Sequence, residues 1–254
     1  MRDTIIYLAR HTETTSNAMR IMQGWSDFPV TQRGRTIIRR FGLGLKGVTF
    51  EAAYCGTLTR HYLTARGALD YSGNESVDIQ RDPDLREDNF GSFEGRGIAE
   101  TDLAGVRHMG YASVDEALAE RGTTINLDLQ DAWHELDAAN TLGTNLDAKD
   151  RAESSADVRG RMGRALRKVG EATQANGGGN VLVVSSGLSI RQFLFTVDPS
   201  LDFTGPTNPA TTRLRYEDGT FTIIGTPYST EYYECGEREE LAGVAEGDGG
   251  RTAD

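Results

Sequence analysis

Short apolar runs alternate with longer stretches of helical periodicity over most of the chain. Four runs have the length of buried strands, and the consecutive aliphatic residues from Val181 to Val184 are typical of a sheet covered on both faces. The runs lie at residues 5–9, 51–55, 77–80 and 180–184. Apolar positions at helical spacing follow or precede these runs. The clearest helical segments lie at residues 32–46, 59–69 and 156–175.

The order of these elements predicts an α/β fold. We expect a three-layer sandwich in which a mostly parallel central sheet carries helices on both faces, plus a helical insertion. Alternating apolar and polar residues at 208–216 and 220–228 flank Glu217-Asp218-Gly219. The Asp-Gly pair in this segment predicts a closing hairpin.

The stretch from residue 96 to residue 153 differs in character from the rest of the chain. It contains twelve acidic and five basic residues. Its pattern predicts three helices, at 98–109, 113–121 and 128–142. We expect it to form a helical insertion or lid within one domain that spans residues 1–234. The remaining residues, 235–254, are rich in glycine and acidic side chains, which predicts a disordered tail.

The charge balance restricts the possible partners. With 27 basic and 38 acidic residues the net charge is −11, whereas a nucleic-acid-binding protein is expected to be basic. Cys55 and Cys235 are too few for a disulfide framework and lack the spacing of metal ligands. No apolar run reaches the roughly 18 residues of a membrane span, and no leader-type apolar segment is present. We therefore expect a cytoplasmic protein that binds neither nucleic acid nor a membrane.

The first predicted strand ends at Arg10-His11, and a polar run with several candidate helix caps follows. A helix N-terminus offers N–H groups to an anion, and an arginine adds a bidentate cation. The imidazole beside it could act as a nucleophile, an acid or a base. An ordinary polar loop after a buried strand explains the same pattern, so this stretch alone does not decide the function.

Three further strand ends carry polar residues suited to an anion site. Arg60 lies in the first turn of a predicted helix, a position that also fits a surface arginine. Its neighbour His61 lies about 100° further round that helix, so we do not expect both to face one pocket. The loop from Asp82 to Glu94 carries five carboxylates, and apolar neighbours could make one of them a general acid. Because sites in such folds gather at the carboxyl ends of strands, we expect these residues and Ser186 to lie near one another.

Together these segments resemble the histidine phosphatase superfamily, in its phosphoglycerate mutase-like branch. The family's opening signature, Arg-His-Gly-x-Thr-x-x-Asn, corresponds to the segment from Arg10 to Asn17. Its acid motif, Leu-x-Glu-x-x-Phe-Gly-x-x-Glu-Gly, is fully matched from Leu85 to Gly95. The resemblance covers residues 4–228.

Three shorter segments add to the resemblance. The family's motif Ser-x-Leu-x-Arg-Ala is matched loosely by Gly56-Thr57-Leu58-Thr59-Arg60. The loop Gln23-Gly24-Trp25-Ser26-Asp27 and the pair Glu153-Ser154 before the long helix are similar as well. Ordered agreement of several motifs is far more specific than any one of them.

The resemblance implies a role for each matched residue. His11 would attack phosphorus and carry the phosphoryl group, and Glu87 would protonate the leaving oxygen and then activate water. Arg10 and Arg60 would clamp the phosphoryl oxygens. The other expected phosphate-binding residues are Asn17, Gln23, Gly24 and Ser186. No metal or other cofactor is implied, and the expected ligand is a small phosphorylated metabolite, with a homodimer left open.

Two positions depart from the family's pattern. Thr12 replaces the glycine of the opening signature, which restricts the backbone but is tolerable at a negative φ. Ser186 replaces the histidine of the family's Ser-His-Gly, a donor to the phosphoryl group. Loss of one preorganised donor typically costs about 10²–10³ in rate, so we expect a slow site unless another group compensates. The histidines other than His11 are His61, His108 and His134. None is an obvious substitute from its sequence position, although His61 or a histidine of the insertion could reach into the site.

Three functions remain open from the sequence. The favoured one is a metal-independent phosphomonoesterase that acts through His11. The second is a binding or regulatory protein whose pocket holds a phosphorylated ligand with little chemistry. The third is a phosphoglycerate mutase-type phosphotransferase, which needs a phosphohistidine shielded from water and is harder to reconcile with a weakened pocket. The acidity of the insertion disfavours polyphosphorylated substrates.

Overall fold

The structure is a computed structural model that describes residues 2–205 and 207–248, with side chains described as far as residue 242. Its strands are β1 (Thr4–Arg10), β2 (Phe50–Cys55), β3 (Ile79–Arg81), β4 (Gly179–Ser185), β5 (Thr211–Glu217) and β6 (Thr220–Ser229). They form one sheet in the order β3-β2-β4-β1-β5-β6. Five of these strands run in one direction, and β5 runs in the opposite direction. The predicted mostly parallel sheet is therefore confirmed.

Helices cover both faces of this sheet. They are α1 (Thr15–Met19), α2 (Gln32–Gly44), α3 (Thr59–Ser72), α4 (Ile98–His108), α5 (Val114–Arg121), α6 (Ile125–Ala138), α7 (Ser155–Ala175), α8 (Gly187–Val197) and α9 (Glu231–Asp248). One core cluster joins the sheet to α7 and α8, and another joins the opposite face to α2 and α3. The fold is thus the three-layer α/β sandwich that the order of elements predicts.

The central strands are apolar on both faces because successive side chains of a strand point in opposite directions. Along β4, Val181 and Val183 pack towards α7, whereas Leu182 and Val184 pack towards α2 and α3. β1 alternates in the same way. This arrangement is the one that the unbroken aliphatic run at 181–184 predicts.

The block of residues 96–153 contributes α4, α5 and α6, close to the three predicted helices, although α6 begins three residues earlier than expected. Its apolar side forms a third core cluster with Phe90 and Phe93 of the acid motif. Trp133 of α6 packs edge-on against Phe90 at 5.5 Å between ring centroids. The block therefore packs against the loops at the carboxyl end of the sheet, and its action as a lid stays a prediction.

The closing hairpin is confirmed. β5 and β6 are joined at Asp218 and Gly219, whose φ angles are 44° and 87°. Positive φ at both central residues is what the tight turns of hairpins require. The pattern Asp-Gly was therefore a sufficient signal for this turn.

The prediction of a disordered tail from residue 235 is wrong as far as residue 248. There α9 packs along α2, and two glycines allow the close approach. A Cβ at Gly44 would lie 1.7 Å from the Tyr232 carbonyl oxygen, and one at Gly236 equally close to the Arg40 carbonyl oxygen. Arg40 also donates to Glu240 at 2.7 Å. Composition predicted solvated acids, whereas the acids pair with basic residues of α2; residues 249–254 lie outside the described residues.

None of the described helices combines the length and the apolar composition needed to cross a membrane.

Candidate active site

A cavity of about 300 Å³ opens at the carboxyl end of the sheet, between the strand ends and the helices of residues 96–153. Arg10, His11 and Glu87 contribute to its polar side. Its apolar wall includes Phe90, Leu129 and Trp133. Residues distant in the sequence meet here because the parallel strands end at the same edge of the sheet.

His11 is only 2 % exposed and is held in one tautomer. Its Nδ1 lies 2.6 Å from the carbonyl oxygen of Thr12. A carbonyl can only accept, so Nδ1 carries the proton and Nε2 keeps a free lone pair. Burial lowers the pKa of His11 well below its usual value, and the charges of Arg60 and Arg10 lower it further. The ring is therefore a neutral imidazole with Nε2 as its nucleophilic atom.

The backbone around His11 is fixed on both sides. Its N–H donates to the carbonyl of Ser185 at 2.9 Å, which ties it to the end of β4. The next residue, Thr12, donates through its N–H to Thr64 and through its hydroxyl to the carbonyl of Gly34. Thr12 is not among the residues with positive φ, so its Cβ causes no strain in place of the family's glycine.

The two predicted arginines occupy different places. Arg10 lines the cavity, and burial lowers its pKa to about 10, so it remains cationic at neutral pH. Arg60 is fully buried and is not part of the cavity wall. It donates to the carbonyls of Gly24 and Ser26 at 2.6 and 2.9 Å. Its charge still reaches His11, and its guanidinium anchors the loop of residues 24–27.

Glu87 faces the cavity from the acid motif and is held by the N-terminus of α8. Its carboxylate accepts from the N–H groups of Ser189 at 2.9 Å and Leu188 at 3.3 Å. The neighbouring Asp88 accepts from the hydroxyl of Ser189 at 2.6 Å. Burial and the adjacent Glu87 raise the pKa of Asp88 well above its usual value. Position and hydrogen bonds thus aim one carboxyl, Glu87, at the cavity.

A buried arginine that sequence reasoning missed supports this loop. Arg161 of α7 donates to the carbonyls of Asp84, Arg86 and Glu87, at 2.8–3.0 Å. Glu153 binds the same guanidinium at 2.7 and 2.9 Å. The pair Glu153-Ser154 signalled part of this arrangement, but nothing in the pattern of α7 marked Arg161.

The loop of residues 23–27 is built around the second glutamate of the acid motif. Glu94 accepts from the N–H groups of Gly24, Trp25 and Ser26, at 2.8–3.2 Å. The N–H of Gly24 therefore already donates to Glu94. Gly24, which the sequence predicts to bind phosphate, is not part of the cavity wall. Gln23 does line it, and so does Asn17. Their side-chain oxygens accept from Thr14, which fixes both amides.

His61 lies close to His11, although neither it nor Arg60 is part of the cavity wall, so the prediction that the two do not both face one pocket is not contradicted. Its ring is fully buried, with its centroid 5.6 Å from that of His11. Its Nε2 lies 2.7 Å from the Oγ of Ser186, which is fully buried and precedes Gly187 of the cavity wall. The first turn of α3 therefore contacts two sides of the site: Arg60 holds the 24–27 loop, and His61 contacts the residue that follows β4. Burial lowers the pKa of His61 well below its usual value, with Arg60 adding to the effect.

Two charged residues of the cavity wall were also missed. Arg191 lies one turn into α8 and donates to the carbonyl of Phe203 at 3.0 Å. It follows Gly187 by four residues, and this helical spacing from a strand end could have marked it. Asp102 of α4 also lines the cavity, and burial raises its pKa to about 6. No sequence signal pointed to Asp102.

Comparison with known proteins agrees with this geometry. The sequence profile of the histidine phosphatase superfamily (branch 1) matches residues 6–109, the part that carries Arg10, His11, Arg60 and Glu87. The crystal structure of phosphoglycerate mutase from Bacillus anthracis str. Sterne superimposes with a TM-score of 0.81 at 28 % identity. That match covers 93 % of this chain and 97 % of the other. The part of the chain that carries these four residues is thus similar to the histidine phosphatase superfamily.

Other similar proteins match different shares of the chain. A 2,3-bisphosphoglycerate-dependent phosphoglycerate mutase 2 from Gloeobacter violaceus is 31 % identical over 97 residues, which are 38 % of this chain and 44 % of that protein. The chain thus matches less than half the length of this curated relative. The Bacillus stearothermophilus YhfR structure superimposes with a TM-score of 0.61 at 25 % identity, covering 90 % of this chain and 99 % of the other.

Within the part of the chain that the structure describes, no three His, Cys, Asp or Glu side chains are grouped to hold a metal ion.

Proposed function

We propose that the chain is a metal-independent phosphomonoester hydrolase that acts through a phosphohistidine on His11. The observation that carries the proposal is the hydrogen bond from Nδ1 of His11 to the Thr12 carbonyl. It leaves Nε2 of a neutral ring as a nucleophile in a cavity that also holds Arg10 and Glu87. This is the set of groups that transfer of a phosphoryl group requires: a nucleophile, a cation and an acid.

The first step forms the bond from Nε2 of His11 to phosphorus while the ester P–O bond breaks. The leaving oxygen takes the proton of Glu87, which must enter this step protonated. Arg10 stabilises the charge on the phosphoryl oxygens, and the fixed tautomer keeps Nε2 in line. No reorganisation of the donors is needed during the step, which is the main source of catalysis in such reactions.

The second step uses water. Glu87, now a carboxylate, takes a proton from the attacking water as a new P–O bond forms and the P–Nε2 bond breaks. His11 returns to its neutral state and Glu87 to its protonated one. The net reaction consumes one phosphomonoester and one water and releases an alcohol and inorganic phosphate.

The charges along the cavity favour a substrate with a single phosphoryl group. The wall contains two arginines, Arg10 and Arg191, and two carboxylates, Glu87 and Asp102. With Glu87 protonated, as the first step requires, the two arginines exceed the remaining carboxylate by one positive charge, which suits one phosphoryl group and leaves no cation for a second. Most of the remaining wall is apolar, which suits the carbon skeleton of a small phosphorylated metabolite.

Phosphotransfer of the mutase type is the second candidate, because the curated relative and the structural neighbour described above bear that name. Both reactions share the phosphohistidine and differ in the acceptor. Hydrolysis passes the group to water, whereas a mutase passes it to a second phosphorylated alcohol. The small positive surplus of the cavity favours hydrolysis, because a mutase must bind a second phosphorylated molecule.

The test measures hydrolysis of p-nitrophenyl phosphate, with EDTA present throughout, by the unaltered chain, His11→Ala and His108→Ala. His108 is a matched control because it lies on α4 and pairs with Glu135 at 2.7 Å, outside the cavity. We expect turnover by the unaltered chain and His108→Ala, and none by His11→Ala. Because phosphohistidine is labile in acid and stable in base, base quenching of the reaction with labelled substrate traps it, and label on the unaltered chain but not on His11→Ala is expected.

Two results contradict the proposal. Activity that survives His11→Ala would exclude His11 as the nucleophile, and activity abolished by EDTA would exclude metal independence. Transfer of the label to added phosphoglycerate in preference to water would favour the mutase.

A further inference from the structure

Three residues that depart from the family's motifs are neighbours in the structure. Gly56 stands where the motif Ser-x-Leu-x-Arg-Ala has its serine, His61 where it has its alanine, and Ser186 where Ser-His-Gly has its histidine. A Cβ on Gly56 would lie 2.2 Å from Nδ1 of His61. On the other side of the ring, Nε2 contacts the Oγ of Ser186 at 2.7 Å. The imidazole of His61 therefore requires the absence of a side chain at 56 and leaves room for only a small one at 186.

This imidazole lies beside the nucleophile. The rings of His11 and His61 are 5.6 Å apart between centroids and inclined by 60°. Ser186 follows Ser185, whose carbonyl accepts the N–H of His11, so the hydroxyl of Ser186 belongs to the residue next to the anchor of His11. Ser186 is also the N-cap residue of α8, yet its side chain makes no capping hydrogen bond. Its hydroxyl is instead held by His61.

We propose that His61 and Ser186 together supply the hydrogen-bond donor that the missing histidine would have given to the phosphoryl group on His11. Nε2–H of His61 donates to Oγ of Ser186, and the hydroxyl hydrogen of Ser186 is then directed at a phosphoryl oxygen. His61 is the positioning residue, because it acts through Ser186. No proton is transferred and no co-reactant is needed.

The surroundings of His61 fit this role. The charged groups around it are the guanidinium groups of Arg60, Arg161 and Arg86, and His11 is the other titratable ring in contact. Burial, and after it the three cations, lower the pKa of the ring and keep it neutral, so one ring nitrogen carries a hydrogen. Among the described residues Nδ1 has no hydrogen-bond partner, whereas Nε2 has the Oγ of Ser186, which favours the hydrogen on Nε2. A neutral, buried donor pair is preorganised, since neither group is solvated by water that must leave first.

The inference rests on the proposed function, and it predicts coupling between the two residues. We expect His61→Ala and Ser186→Ala each to lower kcat about 100- to 1,000-fold with KM changed less, because one preorganised donor is lost in either case. The double variant His61→Ala/Ser186→Ala should be no slower than the slower single variant. If the pair acts as one unit, the two losses do not add.

Moving the imidazole provides the sharper test. Ser186→His alone should lose activity, because two rings would compete for one space. Together with His61→Ala, Ser186→His should regain at least about 10-fold over His61→Ala, since it restores one imidazole at the same place. A merely structural role for His61 does not predict this recovery. Thermal unfolding of each variant, with His108→Ala as the matched control, verifies that the fold is retained.

The outcomes are decisive in both directions. Activity of His61→Ala within threefold of the unaltered chain, additive losses in the double variant, or no recovery in His61→Ala/Ser186→His would each overturn the proposal. If the unaltered chain shows no turnover, the proposed hydrolase fails, and calorimetric binding of inorganic phosphate then tests the pair by itself. About tenfold weaker binding by both single variants would support the donor pair, and unchanged binding would overturn it.

Discussion

Arg161 and Glu153 form a two-point ion pair, with Nε to Oε1 at 2.7 Å and Nη2 to Oε2 at 2.9 Å. The other N–H groups of Arg161 hold the loop that carries Glu87. One buried guanidinium thus connects the long helix α7 to the predicted catalytic acid. The position of Glu87 depends on this pair as well as on its own hydrogen bonds.

Arg161→Ala should destabilise the fold by about 3–5 kcal/mol, because it leaves Glu153 and three carbonyls without their donor. It should also lower kcat, since the Glu87 loop loses its anchor. Urea unfolding and hydrolysis assays measure the two effects. The control is Arg164→Ala on the same helix, whose pair with Asp84 is largely exposed and should cost less than about 1 kcal/mol. Equal effects of the two variants would contradict the anchoring role.

Glu94→Gln should loosen the loop of residues 23–27. An amide nitrogen cannot accept, so at least one of the N–H groups of Gly24, Trp25 and Ser26 loses its partner, at a cost of about 1–3 kcal/mol. Urea unfolding measures this change, and KM should rise because Gln23 lies on the same loop. Glu116→Gln is the matched control, since it accepts a single N–H at an exposed position. Similar stabilities of both variants would argue against the predicted role of Glu94.

Asp102 makes anion binding depend on pH. Its pKa is raised to about 6 by burial, so a negative charge appears in the cavity as the pH rises through that value. Asp102→Asn should therefore bind inorganic phosphate more tightly than the unaltered chain at pH 7.5, with the difference vanishing near pH 5. Calorimetry at matched pH measures it, and Glu100→Gln on the exposed side of α4 is the control. A constant ratio of affinities across this range would rule out the effect.

The depressed pKa of His61 makes the fold sensitive to acid. In the unfolded chain a histidine binds a proton near pH 6.5, whereas the buried ring does not, so the unfolded state binds more protons and stability falls as the pH falls. Between neutral pH and pH 5.5, this proton binding lowers the free energy of unfolding by about 1.4 kcal/mol. Urea unfolding at the two pH values should therefore show a loss of stability that is smaller by this amount in His61→Gln than in the unaltered chain. Parallel stability curves for the two proteins would contradict a neutral His61.

The layers of the fold follow from the sequence because each depends on local pattern. The aliphatic run of β4, the Asp-Gly turn and the apolar spacing of α7 each have one satisfactory interpretation. Arg10 and His11 stand at the end of a strand, and the carboxylates of the acid motif follow another, so local pattern predicted at which edge of the sheet the site lies. The choice of His11 and Glu87 as its reacting groups came from the resemblance to the family's motifs.

The remaining features depend on contacts between distant segments. His61 reaches the site only because α3 is enclosed between β4 and the 24–27 loop, and its helical angle relative to Arg60 gives no sign of this. Arg161 finds its partners on a loop about 75 residues earlier in the chain, at Arg86 and Glu87. α9 is ordered by Arg40 and by glycines that permit close helix packing. Such pairings are set by tertiary structure, so periodicity and composition cannot reveal them.

The contact between His61 and Ser186 bears on how related sequences are judged active or inactive. A sequence alignment shows serine at position 186 and therefore suggests that the histidine is lost. In the structure, however, the imidazole of His61 lies 5.6 Å from that of His11, measured between ring centroids. Chains dismissed as inactive relatives because one column lacks its expected residue should first be searched for an imidazole offered from another column. Such chains are better compared by which side chain lies beside the nucleophile in the structure, whichever segment of the chain supplies it.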